Sequence, residues 1–210
     1  IPPDLAHDVA GWRCRGTTAK VHLAIEGPAP FIGDDGRPVD VARTGASLDD
    51  LERAFDAIKY GEMSEHPVLD IRVPSLVSPE LAPEGHHVVS IMAHFAPFEL
   101  RAGWSDETRE LLGRNVVATL ARHVPDIADR IVAQETLTPV DLETELGLCG
   151  GHVHHGEMAL DQMLSLRPSV GCADHSAPVP GVFLCGPGTH PGPNPWMGCA
   201  RLTARRILAR

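Results

Sequence analysis

The stretch VFLCGPGTHPGPNPWMG, Val182 to Gly198, concentrates residue types that can shape a ligand site. Val182 to Cys185 is a short apolar run that predicts a strand. MGCARLTARRILAR, Met197 to Arg210, predicts a helix with arginines in its last turns, where the helix dipole favours cations. Between them lies a turn of glycines and prolines with a single histidine, His190. Strand, glycine turn, helix is the order that aims helix N–H groups at an anion or polar ring, and glycine lets a ligand approach the backbone. The spacing is not the dinucleotide fingerprint. In G-x-G-x-x-G, Gly186 and Gly188 fit, but Pro191 takes the third place and Gly192 follows it. No other copy of that pattern exists in the chain, which implies no independent dinucleotide pyrophosphate site. The same glycines also suit a tight turn that holds nothing.

GLCGGHVHHGEMALDQ, Gly147 to Gln162, places three histidines and a glutamate close together. In an extended segment His152 and His154 share one face. With His175 or His190 as a further ligand, they would make a zinc or other transition-metal site able to activate water for hydrolysis. H-x-H-H is not a closed metal signature, and histidines that tie a loop together, or that touch a cofactor or substrate, are the competing readings. There is no G-x-S-x-G nucleophile elbow. Cys185 beside the His-bearing loop allows a Cys–His nucleophile, against the ordinary role of free cysteine in cores.

These loops need a scaffold, and the chain has one. Of 210 residues 43% are apolar and 22% charged, ordinary for a globular protein, while aromatics are only 4%, so a core must rest on Leu, Val, Ile and Ala. The net charge of −10 disfavours nonspecific binding to nucleic acid or anionic membrane, which needs a concentrated positive face. Five cysteines, odd in number, scattered and without a C-x-x-C pair, argue against a disulfide framework and fit a reducing cytoplasm. No signal peptide and no apolar run of transmembrane length is visible. The chain begins at Ile1 and not at Met, so it is read as processed or as part of something longer.

Strands are predicted at Thr17 to Gly27, in HPVLDIRVPS from His66, in HHVVSIMAHFAPFEL from His86 (apolar on both faces, hence central), and in DRIVAQETL from Asp129. Helices are predicted from Ser47 to Gly61, with Leu48, Leu51, Ala54, Phe55 and Ile58 on one face, then after the cap Ser105, and after Thr138 with Pro139 at the first position. The expected class is α+β: a mixed or antiparallel sheet with helices on one face across residues 1–146, then a separate segment, 147–210, built around the Gly-Pro-His loop.

GLCGGHVHHGEMALDQMLSLRP, PVPGVFLCGPGTHPG and MGCARLTARRIL together resemble the carboxy-terminal end of phytoene-dehydrogenase-like flavoproteins, FAD-dependent oxidoreductases of the flavin amine oxidase superfamily. The likeness is most specific from Thr138 to Gly192. TTAKVHLAIEG and the β-rich middle are similar to that family's substrate domain. The resemblance implies that Gly186, Gly188, Thr189, His190, Pro191 and Gly192 run along the isoalloxazine and ribityl region of FAD. It also implies that Met197 and Gly198 start a helix near the flavin pyrimidine edge, where N–H groups stabilise a reduced flavin. Two departures stand out: PNPW, Pro193 to Trp196, replaces the usual glycines, and the amino-terminal G-x-G-x-x-G unit is absent.

The leading expectation is therefore the carboxy-terminal part of an FAD-dependent oxidoreductase, desaturase- or dehydrogenase-like, acting on a small apolar substrate. Its FAD-binding domain would be incomplete, with a second chain or a missing segment supplying the dinucleotide half. One alternative is a flavin-free metal-dependent hydrolase using His152, His154 and His190. The other is a non-catalytic fragment that associates, as a homo-oligomer or otherwise, through apolar surface left open by the absent half.

Overall fold

The computed structural model describes residues 2–45, 47–194 and 196–209. In chain order its elements are α1 (Pro3–Ala10), β1 (Thr18–Glu26), β2 (Val41–Arg43), α2 (Leu48–Lys59), β3 (Leu69–Arg72), β4 (His86–His94), α3 (Asp106–Ala121), β5 (Ile131–Leu137), α4 (Pro139–Leu146) and α5 (Gly198–Leu208). The residues cluster into two compact units. Gly16–Gly151 is one, and Ile1–Arg15 joins His152–Arg210 to form the other. The division after Gly151 falls five residues beyond the expected change at 146/147, and the first fifteen residues go with the carboxy-terminal segment.

Gly16–Gly151 is α+β, as its periodicities imply. Its sheet has the order β2-β3-β4-β1-β5 and every pairing is antiparallel. Alternation sorts the strands into two faces. Ala19, Val21, Leu23 and Ile25 of β1, Val89, Ile91 and Ala93 of β4, and Leu69 and Ile71 of β3 are buried on one side. In register, Val21 faces Ile91 and Leu23 faces Val89. Leu112, Val116 and Leu120 recur at helical spacing on α3 and complete this core with Val124 and Ile127. α3 comes close to β5 at Gly113, where an added Cβ would collide with the side chains of Gln134 and Thr136. β4 is central, as expected.

The helix caps are those that the side chains suggest. The Ser105 hydroxyl accepts from Thr108 N–H, and Thr108 reciprocates in a capping box. Thr138 and Asp141 do the same for α4, which Gly147 ends in the left-handed conformation. The expected apolar face of α2 is only partly covered: Ala54 is buried, Leu48 and Phe55 remain exposed, and no α2 residue joins the core cluster. Amphipathic spacing shows which face seeks a partner, not how deeply the partner covers it.

The other unit has little regular structure: α1, α5 and short 3-10 turns. The strand expected at Val182 to Cys185 is reduced to one bridge, Ser176 with Phe183. A strand exists only against a partner, and here the pairing segment is short: Ala177 N–H donates to Val182 O and Leu184 N–H to His175 O, and the ladder ends. No helix among the described residues is long and apolar enough to cross a membrane.

Candidate functional site

Where regular elements are sparse, backbone groups must find partners elsewhere. In the unit containing the Gly-Pro-His loop, Arg167 supplies them. Its side chain is wholly buried and faces carbonyls, not carboxylates. Nε and Nη2 donate to Pro187 O at 2.9 and 2.8 Å, Nη2 to His154 O at 2.8 Å, and Nη1 to Glu157 O and Gln162 O at 3.1 and 3.2 Å. One planar fork thus ties the histidine segment to the glycine loop. Burial pushes the Arg167 guanidinium below the ordinary arginine range, and the Trp12 ring lies 5.2 Å from it.

The amino-terminal segment docks by side chains as well. Gln162 binds both polar groups of the Arg13 backbone, accepting N–H at 2.8 Å and donating to O at 3.1 Å. Glu157 receives Arg15 Nε at 2.6 Å and Arg13 Nε at 3.3 Å. The Arg15 bonds, with those of Arg13, hold its carboxyl down at about 2.

The glycine loop is a folded hook. The Thr189 hydroxyl turns inward and donates to Gly186 O, Gly192 N–H donates to Thr189 O, and Cys199 Sγ reaches Thr189 O and Gly192 O. Thr189 and Gly192 are buried, while Pro191 and Met197 are exposed. The carbonyls of residues 186, 187, 189 and 192 are therefore all engaged inside the unit. The N–H groups of Gly186, Gly188 and His190, by contrast, find no acceptor among the described residues. A Cβ on Gly186 would meet nothing, so that edge is open, and its φ of +103° is one that glycine adopts freely. His190 Nδ1 is buried without a partner. Free donors, an open glycine edge and an orphaned ring nitrogen fit a flat polar ligand at 186, 188 and 190. Thr189 and Gly192 shape the hook from within. Before α5, the Gly198 N–H donates to Asn194 Oδ1 at 2.9 Å, so the first donor of that helix is already engaged, and Met197 is left-handed at φ +52°. Of PNPW, Pro195 lies outside the described residues.

Geometry does not favour the metal alternative. Among the described residues no group of three His, Cys, Asp or Glu is placed to hold a metal ion. The rings of His152 and His154 lie 5.9 Å apart, but His152 Nδ1 accepts the His154 N–H and so points back into its own turn. His175 is buried, with Nδ1 shared between Leu184 O and Thr203 Oγ1. A cluster in sequence is not a cluster of converging lone pairs.

The sheet unit holds groups that motif reading passed over. On the face opposite the core, Lys20 and His22 of β1 stand side by side. Neither belongs to a motif, and only the alternation of β1 marks them as neighbours on one face.

No protein-family model matches the chain. Curated relatives do. A pyridine nucleotide-disulfide oxidoreductase domain-containing protein 2 from Rattus norvegicus is 36% identical over 162 residues, 76% of this chain and 28% of that protein. A limonene dehydrogenase component from Castellaniella defragrans is 28% identical over 153 residues, 70% of this chain and 27% of that protein. A neurosporene-forming phytoene desaturase of Rhodobacter capsulatus is 27% identical over 144 residues, 67% and 26% respectively. The chain is thus related to phytoene-desaturase-like oxidoreductases, as its motifs implied. It spans little more than a quarter of the length of these relatives.

Proposed function

We propose that this chain is the carboxy-terminal portion of an FAD-dependent oxidoreductase of the desaturase or dehydrogenase kind, acting on a substrate with an apolar body. In this reading Gly16–Gly151 is the substrate domain and the other unit belongs to the FAD-binding domain. FAD, when bound, supplies the hydride acceptor. The observation that carries the reading is the hook at 186–190: the carbonyls of residues 186, 187 and 189 bond inward, while the N–H groups of Gly186, Gly188 and His190 and the His190 Nδ1 find no partner among the described residues, in a chain related to oxidoreductases. Gly186, Gly188 and His190 would touch the cofactor, with Pro191 and Met197 flanking it. Thr189, Gly192 and Gly198 would hold the hook and the start of α5 in shape, and Arg167 would fix the Pro187 carbonyl behind them.

The dinucleotide half would come from another segment or chain. Exposed apolar side chains in the carboxy-terminal unit, Leu160, Leu164, Trp196 and Leu208 among them, support such a partner. The five cysteines stand as thiols, which suits a reducing cytoplasm.

FAD titration of the purified chain, alone and together with a G-x-G-x-x-G-bearing amino-terminal segment of a relative, tests this. Weak binding alone and stoichiometric flavin absorbance with the added segment are expected. Stoichiometric flavin on the chain alone would contradict the missing half, and no flavin in either mixture would end the flavoenzyme reading.

A further inference from the structure

The two edges of the sheet are unlike. Its strand order ends at β2 on one side and at β5 on the other. β2 is three residues long and carries Arg43, ion-paired with Asp70, so that edge is short and charged. β5 runs seven residues, IVAQETL, with neither proline nor lysine to blunt it. Residues 132–135 are exposed.

Hydrogen-bond parity shows which β5 groups are spare. Along an antiparallel strand, residues bond alternately toward one neighbour and toward the other. Gly27 N–H donates to Gly85 O in continuation of the β1–β4 register, so odd-numbered β1 residues bond toward β4 and even-numbered ones toward β5. His94 N–H donating to Val68 O fixes the same parity from the β3 side. Lys20, His22 and Ala24 therefore engage Leu137, Glu135 and Ala133. The N–H and C=O groups of Gln134 and Thr136 point away from β1, off the end of the sheet, and no partner takes them among the described residues.

A free run of strand edge is a template for another strand, and the strand that fits this one is its own copy. Two antiparallel copies related by a twofold axis centre on one residue. Centred on Gln134, the outward groups of Gln134 meet those of Gln134 in the second copy, and those of Thr136 meet Val132. Glu135, the only ionisable residue of β5, then stands opposite Ala133. It keeps His22 across from it on β1 and Lys20 on the diagonal, so its charge is answered within its own sheet. Centring on Glu135 would set two carboxylates face to face. Centring on Thr136 would bring in Thr138, whose N–H is already taken by Asp141, and Pro139, which has none. Val132 is passed over in the β1 register, and the Gln134 centre leaves that bulge at the end of the pairing, not in its middle.

We propose that the free edge of β5 is a self-pairing surface: two copies of the chain form a symmetric dimer, β5 antiparallel to β5 about Gln134, which joins their sheets into one. The pairing closes both long edges and leaves only the short β2 edges outside, so association stops at two. It stands on strand geometry and charge and is independent of the flavin reading.

Sedimentation velocity of the full chain over a concentration series tests the dimer, which is expected to grow by mass action to twice the monomer mass and no further. Gln134→Pro removes an outward N–H that β1 does not use, a change that sheet edges accept. It should weaken association by roughly tenfold or more, the loss of the central hydrogen bonds, while the monomer stays folded. If Gln134→Pro does not fold, Gln134→Cys decides. A hydrogen-bonded antiparallel pair holds its Cα atoms about 5.5 Å apart, within disulfide reach. Under mild oxidation Gln134→Cys should therefore cross-link two chains, beyond any cross-linking of the unaltered chain, and Glu135→Cys, whose copies lie on a diagonal, should not. A chain that stays monomeric, a dimer indifferent to a folded Gln134→Pro, or cross-linking at 135 in place of 134 would overturn the proposal. So would replacement of the dimer by a one-to-one complex when the amino-terminal segment of a relative is added, since the edge would then belong to that segment.

Discussion

The two units of this chain are held together by different physics. Gly16–Gly151 buries a contiguous set of aliphatic side chains from three strands and α3, and its polar groups pair within helices and ladders. Among its described residues the carboxy-terminal unit, with residues 2–15, has two α-helices and one isolated bridge. It closes around a buried arginine, a buried glutamine and a glutamate clamped by two arginines. The first kind of stability is diffuse and tolerates small losses of volume. The second is concentrated in a few side chains that bond to loop backbone and to one another. The contrast suits the proposed roles, a scaffold that carries substrate and a shaped loop that lies against a cofactor.

The contrast breaks most visibly at Arg167. Arg167→Ala would remove a buried donor from the carbonyls of residues 154, 157, 162 and 187 together, at a cost of about 3–5 kcal/mol. Amide exchange should then rise across 152–192 while β1 and β4 keep their protection; a loss shared equally by both units would show that they are one cooperative body. In the sheet unit, Leu112→Ala removes a buried side chain that α3 sets into the core and should cost about 3 kcal/mol, seen as a lower denaturation midpoint. Exchange protection of the hook at 186–192 should be unaffected.

Acid sharpens the comparison further. Glu157 titrates at about 2 in the folded chain, below its ordinary 4.5, so its contribution is complete above pH ~5 and lost as pH falls from there toward 2. With solvent screening around the exposed Arg15, the contribution is about 1–2 kcal/mol. Residues 3–15 should loosen in this window, read by amide exchange, before the sheet unit does. Glu157→Gln should loosen them at neutral pH and abolish the acid step.

How much of this was legible in the sequence follows the same division. Strands β1, β3, β4 and β5, helices α2, α3 and α4, and the caps Ser105 and Thr138 were readable, because alternation, helical spacing and cap chemistry are local. The central place of β4 followed from its two apolar faces, whereas the choice between a mixed and a wholly antiparallel sheet was left to the structure. In the other unit the loop motif pointed to the right relatives, but not to Arg167, whose role depends on carbonyls ten to twenty residues away. Nor did it foretell which loop residues face outward: Thr189 and Gly192 turned in, Gly186 and His190 kept free groups. The histidines clustered in sequence and did not converge in space.

The sequence by itself determined the class of fold, most elements of the sheet unit and its relationship, since hydrophobic period and motif order are properties of neighbouring residues. Only the tertiary structure decided that residues 3–15 belong with the carboxy-terminal unit, that one arginine organises it, and that β5 ends the sheet with a free edge. Each of those is a balance of charge or hydrogen bonding between residues far apart in the chain, and no local pattern records it.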